Sequence, residues 1–409
     1  MNGNWALAWR NLWRHGRRTW LTVGAMVVSN VLLIFSISLQ LGSYQVMIEN
    51  TLATLTGHLQ VQQAEYLDSP KMRYSIPDVV PLAQKLRQEL DVKTVAARSE
   101  TFALASSDDR SFGIQVMGVE PEFEPLVSTL PGLVKEGRWF SANDAEEIIL
   151  GKVLARNLKV GLGDEVTFLG SGRDGSFAAA VATVVGIMES GFVQADRSVA
   201  QLPLGYFDTV FSMQGHGHRI VINGPGLDLV PQLVAAARAQ VKGLPDIVVH
   251  DWDALQPGLN KAIKADFSSA WFIYGILVIL VAFSVLNTQL MSVLERTREF
   301  GTMLALGIRP GRLGVLVAQE TLLMSTIGLS IGVLLGLLLS LYLGEVGFTV
   351  DGMEEANQRF NMPERMYPEV SLLTMLWGPL VVFAGAMLAS IYPARRLLKL
   401  DPVIAMKAI

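Results

Sequence analysis

Apolar positions in this chain gather into four uninterrupted stretches. No Asp, Glu, Lys or Arg occurs in Thr19 to Ile48, Phe267 to Leu294, Thr321 to Gly344 or Val370 to Ala394. These runs of 30, 28, 24 and 25 residues exceed the ~20 helical residues needed to cross a ~30 Å hydrocarbon core. A buried helix of a soluble domain accounts for one such stretch, not for four. The first is too long for a signal peptide and lacks a small-residue cleavage site, so it reads as a retained anchor. The pattern predicts four membrane spans.

Between the first two spans the pattern changes. Short alternating runs bounded by turn residues predict strands at Leu59 to Gln63, Gly113 to Val119, Glu147 to Leu150, Asp164 to Leu169, Ala179 to Ile187 and His218 to Ile222. Pro81 to Leu90 and Leu227 to Lys242 carry helical patterns. About 220 residues are enough for a core of their own, and they predict an α+β domain inserted between spans one and two. A helical pattern starts near Ala254, tolerates Pro257 in its first turn and runs to Leu294. It holds Lys261, Lys264 and Asp266, and it is roughly twice as long as a bilayer core is thick. Span one likewise continues through Gln45 toward Leu55. Together they predict a paired helical stalk. At the N-terminus, Trp5, Trp9 and Trp13 recur every four residues, with Arg10, Arg14, Arg17 and Arg18 on another face. This predicts an interfacial helix with its arginines toward lipid phosphates.

Composition agrees: 51% hydrophobic and 17% charged residues with no cysteine exclude a disordered chain, a disulfide framework and thiol chemistry. Charge sets the expected orientation. Twelve basic residues lie in the N-terminal segment, the loop between spans two and three (Arg296, Arg298, Arg309, Arg312) and the tail (Arg395, Arg396, Lys399, Lys407). The insert from Val46 to Asp266 holds 19 basic against 27 acidic residues. Short basic flanks stay inside, so both termini and the middle loop are expected in the cytoplasm. The net charge of −4 hides this asymmetry and gives no reason to expect nucleic acid.

Enzyme signatures are missing. There is no G-x-x-x-x-G-K-[ST] and no G-x-S-x-G, so no P-loop or nucleophile elbow is expected. Gly161 and Gly163 read as a turn. His216 and His218 lack further ligands at metal spacing and read as a surface loop. No catalytic, cofactor or metal residue is assigned.

The middle loop reads Glu295-Arg296-Thr297-Arg298-Glu299-Phe300-Gly301-Thr302-Met303-Leu304-Ala305-Leu306-Gly307. Alternating charges, a glycine and an apolar run closed by Gly307 predict a short amphipathic helix lying across the membrane face. The segment resembles the E-R-x-R-E-[IF]-G-x-x-x-A-[LI]-G coupling motif of the FtsX-like, MacB-type ABC transporter permease superfamily. The tail from Tyr392-Pro393-Ala394-Arg395 to Pro402-Val403 is similar to that family's ending, with Leu398 a departure from its usual small residue. Arg10-Asn11-Leu12, Arg17-Arg18-Thr19 and Ile148-Ile149-Leu150-Gly151 through Val166 also match. The run Leu55-Thr56-Gly57-His58-Leu59-Gln60-Val61 is similar to one in the lipoprotein-releasing (LolC/LolE-like) group, and no ATPase domain is expected ahead of span one.

The resemblance implies a MacB-like outer core domain and a permease acting on a lipoprotein or other lipid-linked cargo. Its implied partners are a cytoplasmic ABC ATPase holding ATP and Mg, a second permease copy or paralogue, a periplasmic chaperone or lipoprotein, and membrane lipids. A signalling subunit that transports nothing, or efflux of a small molecule or peptide, is the alternative. The bacterial inner membrane is the implied location.

The expected organisation is a cytoplasmic interfacial helix (1–18), spans at 19–45, 267–294, 313–344 and 370–394, and an extracytoplasmic domain with its stalk (46–266). A coupling loop (295–312), an extracytoplasmic loop (345–369) and a cytoplasmic tail (395–409) complete it. Glu295, Arg296, Arg298, Glu299, Phe300, Gly301, Leu304, Leu306 and Gly307 are the expected ATPase-coupling residues. Gly328, Gly332 and Gly336 form a small-residue stripe in span three, suited to close packing on span two or four or on a second copy. Glu320 lies about two turns inside that span and is expected to have a structural or gating role. Asn30, Gln40 and Asn287 either line a cavity or bond across helices.

Overall fold

The computed structural model describes residues 2–14, 16–107, 110–349, 365–399, 401 and 405. Parts of the loop expected over 345–369 and of the tail over 395–409 therefore lie outside the described residues. Among the described residues the chain divides into two compact units, one built from residues up to Val46 and from those after Lys261, the other from Met47–Lys261. It opens with helices α1 (Asn2–Arg14) and α2 (Gly16–Thr51).

The inserted unit begins with β1 (Leu59–Gln63), α3 (Val79–Glu89), β2 (Val95–Ser107), β3 (Arg110–Val119), α4 (Glu124–Val127), β4 (Val134–Gly137) and β5 (Glu147–Gly151). It continues through α5 (Lys152–Leu158), β6 (Glu165–Ser171), β7 (Phe177–Met188), α6 (Val193–Ser198), β8 (Val199–Pro203) and α7 (Leu204–Val210). It closes with β9 (Arg219–Ile222), α8 (Val230–Val241), β10 (Ile247–Asp251) and α9 (Trp252–Leu255). The described strands form one mixed sheet in the order β10-β1-β9-β2-β3-β8-β5-β7-β4, with β6 bridging β2 and β7. Only β3 with β8 and β5 with β7 pair in parallel among them.

Strand alternation sends one set of side chains to the helices. Leu59, Val61, Val95, Ala97, Ile220 and Ile222 pack with Val79 and Leu86 of α3 and Val234 and Ala237 of α8. Farther along the same sheet, Ala103, Ala105, Val166, Phe168 and Ala182 pack with Leu154 of α5 and Phe207 of α7. The long strand β2 contributes to both cores. Beneath them, Arg98 is 1% exposed and grips the buried Glu124 through both guanidinium edges, at 3.0 and 2.5 Å. Arg98 Nη1 also donates to the carbonyl of Leu55, tying the turn after α2 to α4.

The expected loop around His216 and His218 is not a surface feature at His218, which is fully buried. Glu100 N donates to His218 Nδ1 at 2.9 Å, so the proton sits on Nε2, which donates to the carbonyl of Met72 at 3.3 Å. The ring stacks on Tyr66 with centroids 5.0 Å apart. Burial drives its pKa down to about 4, which keeps the ring neutral.

The chain then forms α10 (Pro257–Glu295), α11 (Thr297–Ala305), α12 (Pro310–Val346) and α13 (Leu372–Leu398). Helices α2, α10, α12 and α13 are long and apolar enough to cross a membrane. At 1.5 Å per residue, the 39 residues of α10 extend roughly 58 Å. A shared core joins Met26, Leu33 and Ile37 of α2, Tyr274, Val281 and Val285 of α10, and Val382 and Ala386 of α13. Large side chains such as Phe272 and Phe283 face outward, as lipid-facing positions do. Near the end of this bundle, Tyr44 and Gln40 of α2 both donate to the Asp266 carboxylate, Gln40 at 3.1 Å.

Candidate functional site

Helix α11 is short because its sequence is punctuated at both ends. Arg296 leaves helical geometry between α10 and α11, and Gly307 takes φ +90° immediately after the helix, where a side chain would be strained. The 3.6-residue period then divides the segment into two faces. Phe300 is fully buried and packs with Val293, Leu313, Val317 and Leu397, and Met303 and Leu304 lean on the same cluster. Leu306 is 80% exposed, while Arg298 and Gly307 also face outward.

The charges divide in the same way. Arg296 is 5% exposed and donates from Nη1 to Glu320 Oε1 at 2.9 Å. Asn11 Nδ2 of α1 donates to the same oxygen at 2.8 Å. Arg296 also reaches Glu299 at 3.3 Å, and Arg14 closes on the other oxygen of Glu299 at 2.8 Å. Arg18 pairs with Glu295 at 3.1 Å. Burial pushes the Glu299 carboxyl up, but its bond from Arg296 and the charges of Arg14 and Arg296 prevail and hold it below its ordinary range. Arg298 makes no ion pair among the described residues.

Expected coupling residues thus fall into an internal group (Arg296, Glu299, Phe300, Gly301, Leu304) and an outward group (Arg298, Leu306, Gly307), with Glu295 held by Arg18. Two arginines expected to face lipid phosphates, Arg14 and Arg18, instead face acids of this segment. Asn11 lies in a stretch that matches the family, but its role had no signal in the sequence, because its partner is 309 residues away.

The small-residue stripe meets span one rather than span two or four. A Cβ on Gly328 would lie 2.8 Å from Met26 Cβ, one on Gly332 2.6 Å from Asn30 Cβ, and one on Gly336 2.9 Å from Ile34 Cδ1. Asn30 donates to the Gly328 carbonyl at 3.4 Å, and Gln40 accepts from Tyr274 at 3.1 Å, so both bond across helices. Asn287 is exposed, beside Phe283 and Leu290.

The family model for the MacB-like periplasmic core domain matches residues 19–241, and that for the FtsX-like permease C-terminal region matches 271–402. The chain belongs to this permease family. It is an ABC transporter permease of the MacB and LolCE type. The permease is 25% identical over 362 residues to the lipoprotein-releasing system transmembrane protein LolE of Haemophilus influenzae, covering 84% of each chain. It is 22% identical to the lipoprotein-releasing system transmembrane protein LolC of Neisseria meningitidis, covering 75% of each. It is also 25% identical to the macrolide export ATP-binding/permease protein MacB of Bordetella avium, covering 95% of this chain and 57% of that one.

Proposed function

We propose that this permease couples ATP hydrolysis by a separate cytoplasmic ATPase subunit to the release of a lipoprotein or other lipid-linked cargo from the outer leaflet of the inner membrane. The observation that carries the coupling half of this reading is the two-faced helix α11. One face is locked into the bundle through Phe300 and the Arg296 and Glu320 pair, while the other presents Arg298 and Leu306 outward. An element rigidly joined to α1, α10 and α12, with an exposed cation and an exposed leucine, suits a protein that pushes on it. ATP and Mg then belong to that partner, and a second permease copy or paralogue completes the assembly. Helices α2 and α10, both longer than a bilayer core, carry the motion outward as a stalk.

The cargo half is supported by the extent of the match to two lipoprotein-releasing permeases. The basic flanks of the spans support a cytoplasmic location for both termini and α11, with the inserted domain in the periplasm. Export of a small molecule is the second reading, favoured by the match to a macrolide exporter over 95% of this chain. The test reconstitutes the permease with its ATPase and follows release of an acylated protein from proteoliposomes on ATP addition. Release of the acylated protein but not of its unacylated form supports the proposal. Stimulated ATP hydrolysis without release favours signalling, and macrolide movement without protein release favours export.

A further inference from the structure

The sheet of the inserted unit has a second face, turned away from α3, α5, α7 and α8, and α4 covers it at Ala96 and Val221. On β1 and β9 this face opens as a cavity of 340 Å³ whose wall includes Gln62, Tyr66, Glu100, Phe102, Gln115 and Arg219. Gln62 stands opposite Arg219 in the ladder. The Arg219 guanidinium is paired with the Glu100 carboxylate, so the cavity presents no net charge from this pair. Gln115 Nε2 also donates to Glu100, at 3.3 Å. Two donors are left over. Gln62 Nε2, on a side chain 1% exposed, and Arg219 Nε are both buried with no partner among the described residues. A buried donor without an acceptor is costly, and an uncharged carbonyl in the cavity would supply an acceptor to this wall.

Phe102 is shared by the cavity and by an apolar strip beyond it. Ser171 pairs with Phe177, and Phe102 stands one residue beyond the end of the β2–β6 ladder on the same face, in line with them. The next rows are Leu104, Leu169 and Ala179, then Ser106, Thr167 and Val181. None of these nine positions is charged. Phe102 is 71% and Phe177 77% exposed, and Leu104 and Val181 are also exposed. Their neighbours Ala103, Ala105, Phe168 and Ala178 point the other way, into the core, so pleating leaves this face uncovered.

We propose that this face binds the acylated end of the cargo, with an uncharged amide or ester head against Gln62 and Arg219 and the alkyl chain along Phe102, Leu104 and Phe177. The neutralised arginine disfavours a phosphate or free carboxylate head, because no unpaired cation faces the cavity from Arg219. The strip supplies what such a head is tied to: a chain with no polar groups to satisfy. This inference deepens the lipid-linked cargo reading and rests on it.

The test uses the full chain in nanodiscs and N-decanoyl-glycyl-serine amide carrying a diazirine at the end of its alkyl chain. Photolysis should leave adducts on β2, β6 or β7. Replacing Phe102 and Phe177 together by serine should cut the yield by about fivefold or more, since two large apolar contacts are lost. Both rings are exposed, so the melting temperature should hold. The variant Gln62→Met should keep labelling but abolish the preference for the amide over the same probe ending in a free carboxylate. Adducts confined to the membrane helices, or a yield that neither variant alters, would overturn the site. So would shielding of the strip by a second chain, read as absent adducts together with disulfide dimers of Phe102→Cys. Release of acylated protein by the wild-type assembly separates this outcome from failure of the cargo reading.

Discussion

Arg296, between the second membrane helix and α11, is held against Glu320, inside the third, at 2.9 Å, with both side chains almost entirely buried. Asn11 supplies a second donor to the same carboxylate oxygen, so one acid joins α1, α12 and the entrance of α11. An acid at this depth is tolerated because its charge is matched within the protein. The arrangement makes the orientation of α11 a property of the membrane bundle rather than of an exposed loop.

Breaking this pair on one side should therefore be severe. Arg296→Leu leaves the Glu320 charge buried and unmatched, at a cost of about 3–5 kcal/mol, while Glu320→Gln leaves Arg296 with Glu299 alone and should cost less. Changing both residues to apolar ones of similar size should recover much of that. A double-mutant cycle on melting temperature in detergent checks it: additive single effects with no recovery would show that the pair does not couple.

The outward face of α11 should behave in the opposite way. Arg298→Glu and Leu306→Asp alter exposed side chains with no ion pair among the described residues, so stability should change by less than about 0.5 kcal/mol. Co-purification of the proposed ATPase and its stimulated hydrolysis should both fall, Arg298→Glu most steeply at low salt. Reversing Glu295 and Glu299 to lysine is a different experiment. It places like charges beside Arg18 and Arg14, exposed pairs worth about 0–1 kcal/mol each, and beside the buried Arg296, so expression and melting temperature should drop along with coupling. Full association of the Arg298 and Leu306 variants at normal expression would falsify the docking face.

Span three leaves no room for a side chain where Gly328, Gly332 and Gly336 meet span one. Gly332→Val would place a Cβ 2.6 Å from that of Asn30, and the helices must part to admit it. Overpacking of this kind costs about 1–3 kcal/mol. Gly275→Ala, where a Cβ meets nothing within 4 Å, is the matched control and should be neutral or slightly stabilising. Thermal melting of the two variants in one detergent decides between them.

Much of this fold is legible in the residues themselves. Charge-free runs longer than a bilayer core mark the spans, and β1 coincides with its alternating run at Leu59–Gln63. The strand β2 escaped notice because Val95 to Ser99 are buried on both faces, which erases the alternation that marks its second half. The charges of the coupling segment are visible in sequence, but their partners are not. Arg14, Arg18 and Asn11 sit hundreds of residues away, and local spacing cannot separate an arginine aimed at lipid from one aimed at a glutamate. The glycine stripe likewise announces close packing without naming the helix that packs there.

His218 makes the inserted unit sensitive to acid. Its pKa is about 4 in the folded chain against about 6.5 unfolded, because burial disfavours the charged ring, with Arg219 and His216 adding to this and Met72 and Glu100 opposing it. Between those values the unfolded chain binds the proton and the folded chain does not, so stability falls as pH drops from 6.5 toward 4. By pH 5 the loss from this one group is roughly 2 kcal/mol. His58, His216 and His250 are shifted in the same direction by burial, so wild-type acid sensitivity is their combined effect. The variant His218→Gln isolates the term: its side chain keeps an acceptor for Glu100 N and a donor toward Met72 but cannot titrate. Its melting temperature should sit below wild type at pH 7.5, and the gap should narrow or invert at pH 5. A gap that stays constant across that range would mean His218 is protonated while buried, contrary to the tautomer its two hydrogen bonds define.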